Sequence, residues 1–214
     1  MTAPVEPAPR RLGAWRSRAA WATLLIATVL GLAIDLVTKD LAFERVAGAP
    51  VQVERAEVLA LPPARINTLI PDHPPVVVIP GVLNFRLVLN PGAVFGIGAG
   101  QRGLFIAFTG AALAFGLWMF ARWTGPRDFV AHAAIGLVLS GGLGNLYDRL
   151  RYGCVRDFLH PLPDLFWPGG RPVWPYVSNV ADAFLLVGIG FVMIHLWRMD
   201  APARRDEKAA PPAG

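Results

Sequence analysis

Four stretches of this chain stay apolar for long enough to cross a bilayer, and between them the pattern shortens to strand-like alternation. A hydrocarbon core of roughly 30 Å takes about 20 mostly apolar residues in a helix. The first stretch runs from Ala19 to Thr38, interrupted only by Asp35. The second, Gly103 to Ala121, carries no charge and lies between Arg102 and Arg122. The third, Phe129 to Tyr147, lies between Asp128 and Asp148, and the fourth, Val177 to Trp197, has Asp182 near its polar start. From Phe43 to Gly100, valine, leucine and isoleucine alternate with proline and glycine, as in Val76 to Ile79 and Val82 to Leu89. That pattern predicts a few short strands lying on the membrane surface. The segment from Arg149 to Tyr176 is rich in proline, glycine and tryptophan, and Phe166, Trp167, Trp174 and Tyr176 suit an interfacial belt. Asp157 is expected within a short loop there. Residues 1–18 and 199–214, with their proline, alanine and charge, read as disordered tails. The expectation is one integral-membrane domain over residues 19–198, an all-α four-helix transmembrane bundle with a small β-rich subdomain outside.

Arginine and lysine set the orientation. Arg10, Arg11, Arg16 and Arg18 precede the first span, Arg122 and Arg127 join the second to the third, and Arg198, Arg204, Arg205 and Lys208 follow the fourth. An even number of spans with basic residues at both ends and in the middle junction puts both termini in the cytoplasm. Segments 39–102 and 148–176 then lie outside. A cleavable signal peptide would place small residues where Asp35 and Lys39 stand, so the first span is expected to be an uncleaved anchor.

Composition agrees with the pattern. Of 214 residues 54% are hydrophobic and 16% charged, below the quarter or so usual for soluble domains. The net charge of +5 sits at chain ends and short junctions, without a basic patch interleaved with aromatics, so no nucleic-acid partner is expected. The single cysteine, Cys154, excludes a disulfide framework and a cysteine zinc site, and is read as an inert small residue. His73 and His160 are isolated, His132 is read as packed and His195 as interfacial, so no metal site is expected.

With this topology the polar residues of the spans gather at one height. Asp35 and Lys39, four apart on one helical face, close the first span. Asn90 precedes the second span, Asn145, Asp148 and Arg149 close the third, and Asn179 and Asp182 open the fourth, with Asp157 between. Each has a structural reading. Asp35 with Lys39 makes an i,i+4 ion pair, Asp148 beside Arg149 anchors a helix end, Asn145 and Asn179 are packing amides, and Asp182 suits a helix N-terminus. Two carboxylates converging at a bilayer edge, Asp157 and Asp182, suggest acid–base chemistry as well. Gly136, Gly141, Gly142 and Gly144, with Gly188 and Gly190, offer small surfaces for close approach of the third and fourth helices.

The chain resembles the lipoprotein signal peptidases, or signal peptidase II family. The resemblance rests on Asp35-Leu-Val-Thr-Lys39, Asn90-Pro-Gly-Ala-Val-Phe95, Gly141-Gly-Leu-Gly-Asn145-Leu-Tyr-Asp148-Arg149, Gly153-Cys-Val-Arg-Asp157-Phe158 and Asn179-Val-Ala-Asp182, in the family's order. It implies a bacterial inner-membrane aspartic peptidase that acts alone, without metal or cofactor. Asp157 and Asp182 would be its catalytic pair. Asp35, Lys39, Asn90, Gly92, Asn145, Asp148, Arg149 and Asn179 would bind substrate or support the site at the periplasmic face. The implied substrate is a diacylglyceryl-modified prolipoprotein, cleaved on the N-terminal side of the lipidated cysteine, among membrane lipids. Three features depart from the family pattern. Arg156 stands where an apolar residue is usual and is expected to lower the pKa of Asp157. Ser178 stands where an aromatic is usual. The stretch around Pro161 to Pro175 is longer.

Two other classes remain to be weighed. A small proton-coupled transporter predicts carboxylates at several depths, whereas the middle of each span is uncharged. A non-enzymatic scaffold predicts that both aspartates are dispensable.

Overall fold

A computed structural model describes residues 13–92 and 102–209 of the chain. Four of its helices are long and apolar enough to span a bilayer: α1 (Arg18–Arg45), α3 (Arg102–Trp123), α4 (Phe129–Arg151) and α5 (Val180–Ala209). The short helix α2 (Arg55–Ala60), a 3-10 turn at Pro63–Leu69 and strands β1 (Val76–Ile79), β2 (Leu83–Asn90) and β3 (Val155–Pro161) complete the order of elements relevant to the site.

α4 is the central helix. Half of its span-length window is buried inside the protein, against 28% for α1, 17% for α3 and 11% for α5. Its glycines make that possible. A methyl group on Gly136 would stand 2.7 Å from the Leu24 carbonyl of α1, and one on Gly141 would collide with the Ala181 carbonyl of α5. From the other side, a methyl on Gly188 would stand 2.7 Å from the Ala134 carbonyl. Small residues thus let three backbones approach where lipid supplies no hydrophobic drive for helix association. Gly190 takes no part, with nothing within 4 Å of a methyl there, because it faces away from α4.

Several elements outrun their predicted ends. α1 continues to Arg45 and carries Ala42 and Phe43 out of the span into a second core with Val58, Ile66, Leu87, Leu89 and Phe158. α4 continues to Arg151, and α5 extends through residues 199–209, which had been read as tail. Alanine, arginine, glutamate and lysine in that last segment are good helix formers. The outer segment also contains α2 and the 3-10 turn beside its strands. Their six and seven residues are too short to show a helical period.

The three strands form an antiparallel sheet in the order β1-β2-β3. β1 lies as predicted over Val76–Ile79, and Gly81, with φ of 70°, makes the turn into β2. β3 corrects the sequence reading: Asp157 lies on a strand, opposite Val88 of β2, and not in a loop. Valine, phenylalanine and leucine around Asp157 alternate too briefly, among polar residues, to declare a strand.

Candidate active site

Asp182 sits in the first turn of α5, and the way that helix begins explains its position. The Asn179 side-chain oxygen accepts from the Asp182 N–H at 3.1 Å, and the Asp182 carboxylate accepts from the Asn179 N–H at 3.3 Å. This is a reciprocal capping box, which satisfies two backbone donors that a helix start leaves free. A third donor, the Ala181 N–H, reaches the Asp35 carboxylate of α1 at 2.8 Å. Negative groups at that end also complement the helix dipole. The structural reading of Asp182 therefore holds, and it coexists with a second arrangement.

Asn179 completes that second arrangement. Its amide nitrogen donates to Asp157 at 2.6 Å and to the Asn145 side-chain oxygen at 3.1 Å. One asparagine thus touches both aspartates, although they come from β3 and α5. Asn145 of α4 in turn donates to the Asp182 carboxylate at 2.8 Å. Asn90, the last residue of β2, donates to the other Asp157 oxygen at 3.0 Å.

Beneath this layer lies a buried ionic one. Lys39 and Asp35, both fully buried, are 2.8 Å apart, and Lys39 also donates to the Asn145 oxygen at 3.1 Å and lies 3.5 Å from Asp148. Lone buried charges are costly, so this lysine is held by three acceptors. Gly144 leaves the space that Asp35 needs, since a methyl group there would overlap its carboxylate. Asp148 does not pair with the adjacent Arg149. It binds Arg156, by the backbone N–H at 3.0 Å and the guanidinium at 3.1 Å. Arg149 instead turns across to the Gly92 carbonyl at 3.0 Å and the Asn145 carbonyl at 3.1 Å. Adjacent helical residues point in different directions, which is why proximity in sequence misleads here.

Arg156 does not act on Asp157 as expected. Its guanidinium is engaged by Asp148 and by Asp40, at 2.6 Å, on the opposite side of the strand from Asp157. The Asp157 carboxyl is pushed above the usual carboxylate range, first by burial and then by the charge of Asp182. Alternation along β3 sends neighbours 156 and 157 to opposite faces.

The structure thus brings together all ten sequence-predicted residues: Asp35, Lys39, Asn90, Gly92, Asn145, Asp148, Arg149, Asp157, Asn179 and Asp182. Residues Ala93–Phe95 of the second motif lie outside the described residues, as do Arg10 and Arg11. Sequence reasoning missed Asp40, whose partner is 116 positions away, and Asn67. Asn67 grips the backbone of Leu89 at 2.7 and 3.1 Å, beside Asn90. No local pattern marks either residue. Cys154 is buried and its thiol is pushed up to about 12 by that burial, in keeping with an inert role. His132, fully buried against Thr124 at 3.2 Å, is packed as expected. Among the described residues no group of three or more metal-ligating side chains converges.

Comparison with known proteins gives a consistent result. The family model for signal peptidase (SPase) II matches residues 27–198. A lipoprotein signal peptidase of Desulfitobacterium hafniense (strain DSM 10664 / DCB-2) is 36% identical over 131 residues, which are 61% of this chain and 79% of that protein. Another, from Anaeromyxobacter sp. (strain Fw109-5), is 31% identical over 199 residues, covering 86% of this chain and 89% of that protein. Among solved structures, a bacterial membrane enzyme determined by the in meso method at 2.3 Å resolution aligns with a TM-score of 0.58 and 25% identity. The alignment covers 84% of this chain and 90% of that one.

Proposed function

Since the chain belongs to the signal peptidase II family, and is therefore a membrane-spanning peptidase of the bacterial inner membrane, we propose that Asp157 and Asp182 are its catalytic pair. The substrate is a diacylglyceryl-modified prolipoprotein, cut on the N-terminal side of the lipidated cysteine. The observation that carries the assignment is Asn179, a single side chain and its backbone bonded to both carboxylates. The family match gives no support to the transporter reading.

Hydrolysis of a peptide needs an activated water and a protonated leaving amine. A buried carboxyl beside a second one holds its proton more firmly than a free one, because ionising both in a desolvated site is costly. Burial, and then the charge of Asp182, keep a proton on Asp157, while Asp182 is only partly buried. The ionised member takes a proton from the water that attacks the scissile carbonyl. The protonated partner donates to the developing oxyanion and then helps protonate the departing amine. Asn145, Asn90 and Asn179 fix the carboxylates, and Arg149, anchored on the Gly92 carbonyl, shapes the rim.

Both termini lie in the cytoplasm in this reading and the site faces the periplasm. Acyl chains of the substrate remain in lipid between the helices while the peptide bond reaches the polar layer. The test is incubation of the purified protein with a diacylated prolipoprotein, read by mass spectrometry of the products. Wild type yields a new N-terminal lipidated cysteine. Asp157→Asn and Asp182→Asn each lower turnover by about a thousandfold or more with insertion intact. Normal processing by either variant overturns the assignment.

A further inference from the structure

Arg156 is a buried charged side chain that the catalytic reading leaves without a role, and it is tied to both α1 and α4. Its side chain is 5% exposed. The guanidinium reaches both Asp148 oxygens, at 3.1 to 3.4 Å, and Asp40 at 2.6 Å, and it lies 4.2 Å from the centre of the Tyr152 ring. Its own backbone N–H adds a further bond to Asp148. A planar fork fits such a bidentate site in a way that a lysine cannot.

We propose that Arg156 is a positioning residue for the peptidase reaction, setting the place of both aspartates through the single buried carboxylate of Asp148. The inference rests on the catalytic reading above. One arm is covalent: Arg156 precedes Asp157, so clamping residue 156 to the end of α4 and to α1 fixes the strand that carries Asp157. The other arm is electrostatic. Asp35 and Asp148 are both fully buried, and among the described residues Lys39 alone pairs with the two. Arg156 supplies the second cation, so that the four buried side chains balance two against two. Lys39 is then free to favour Asp35 and Asn145 over Asp148, at 2.8 and 3.1 Å against 3.5 Å. Without the arginine, Asp148 is an uncompensated buried anion and draws Lys39 toward itself. Asn145 then keeps only Asn179 of the two donors that orient its amide, and that amide holds Asp182 at 2.8 Å.

The chain of contacts makes a distinctive prediction, because the damage comes from an orphaned charge. Arg156→Met lowers kcat by about ten- to a hundredfold, the scale of an active-site displacement of an ångström or less, with KM within about twofold. Arg156→Lys, which keeps the charge and loses the fork, falls between. Adding Asp148→Asn to Arg156→Met removes the orphaned anion and raises kcat above that of Arg156→Met alone. A residue that only bolts the fold together changes the yield of folded protein and leaves kcat per folded molecule intact. If Arg156→Met does not fold, Arg156→Lys alone carries the test, and wild-type kcat in it overturns the proposal. Wild-type kcat in Arg156→Lys and in Arg156→Met, or a double variant no faster than the single, overturns the proposal while the catalytic reading stands. A diacylated prolipoprotein left uncut by the wild-type protein overturns both.

Discussion

The two ends of the bundle both bury polar groups, but they satisfy them in different ways. At the α3–α4 junction the bonds are mostly local. The Thr124 hydroxyl donates to the Phe120 carbonyl at 2.7 Å, the Gly125 N–H reaches Asp128 at 2.7 Å, and His132 meets Thr124 eight residues away. At the other end local pairs, such as Asp35 with Lys39 and Asn179 with Asp182, are joined by partners far apart in the chain. Asp35 meets Ala181 across 146 positions, Lys39 meets Asn145 across 106, and Asn90 meets Asp157 across 67. Local bonds end helices and form wherever the chain turns. Distant bonds form only when the whole fold is in place, so their geometry is available for chemistry but easily lost. Polar content does not separate the ends; the prevalence of distant side-chain partners does.

That contrast can be broken by substitution. The largest effect outside the aspartates is expected at Asn179. Asn179→Ala removes the contact with Asp157, the bond to Asn145 and half of the capping box, and should lower kcat by about a hundredfold. The lost cap alone costs about 1 kcal/mol in stability. A variant with near-normal kcat shows that the shared asparagine is only a cap. Gly144→Ala comes next, forcing a methyl group into the Asp35 carboxylate, and overpacking of this kind costs about 1–3 kcal/mol in thermal unfolding. An unchanged midpoint means that Asp35 has room to move.

A smaller effect concerns pH. The Asp157 carboxyl titrates above its unfolded value, so the native state holds its proton more tightly than the unfolded chain does. Its contribution is fully present below the ordinary carboxylate pKa and is lost as pH rises through the folded value. Unfolding in detergent from about pH 4 upward should therefore show wild type losing stability relative to Asp157→Asn. Parallel profiles for the two proteins refute the shift. The smallest effect belongs at the opposite end. His132→Phe keeps the Thr124 bond to Phe120 and should leave kcat unchanged in the cleavage assay. A marked loss of activity there means that the two ends are coupled.

Most of the site was readable before the fold because its residues punctuate hydrophobic spans. An aspartate at the last turn of one span and another at the first turn of the next are conspicuous against apolar surroundings. The same contrast located all four helices, with errors confined to their ends. What could not be read was pairing. Asp148 stands next to Arg149 in sequence, yet a helix turns them roughly 100° apart, and the true partner is on a strand. Arg156 adjoins Asp157, yet the pleat sends them to opposite faces. Asp40 and Asn67 stayed invisible because nothing nearby in the chain distinguishes a surface polar residue from one that grips a distant backbone. The α2 and Pro63–Leu69 turns were missed because so few residues cannot establish a period.

Leu159 and Ser178 join the strand carrying Asp157 to the start of α5. The Phe158 and Leu159 N–H groups both reach the Ser178 carbonyl at 2.8 Å, and the Ser178 N–H returns to Leu159 at 2.8 Å. Those three bonds use main-chain atoms alone, and the Ser178 hydroxyl adds a donation to the Leu159 carbonyl at 3.4 Å. Everything between the two residues hangs from a closed clasp. A longer or shorter excursion there would leave the spacing of the acids on either side unchanged.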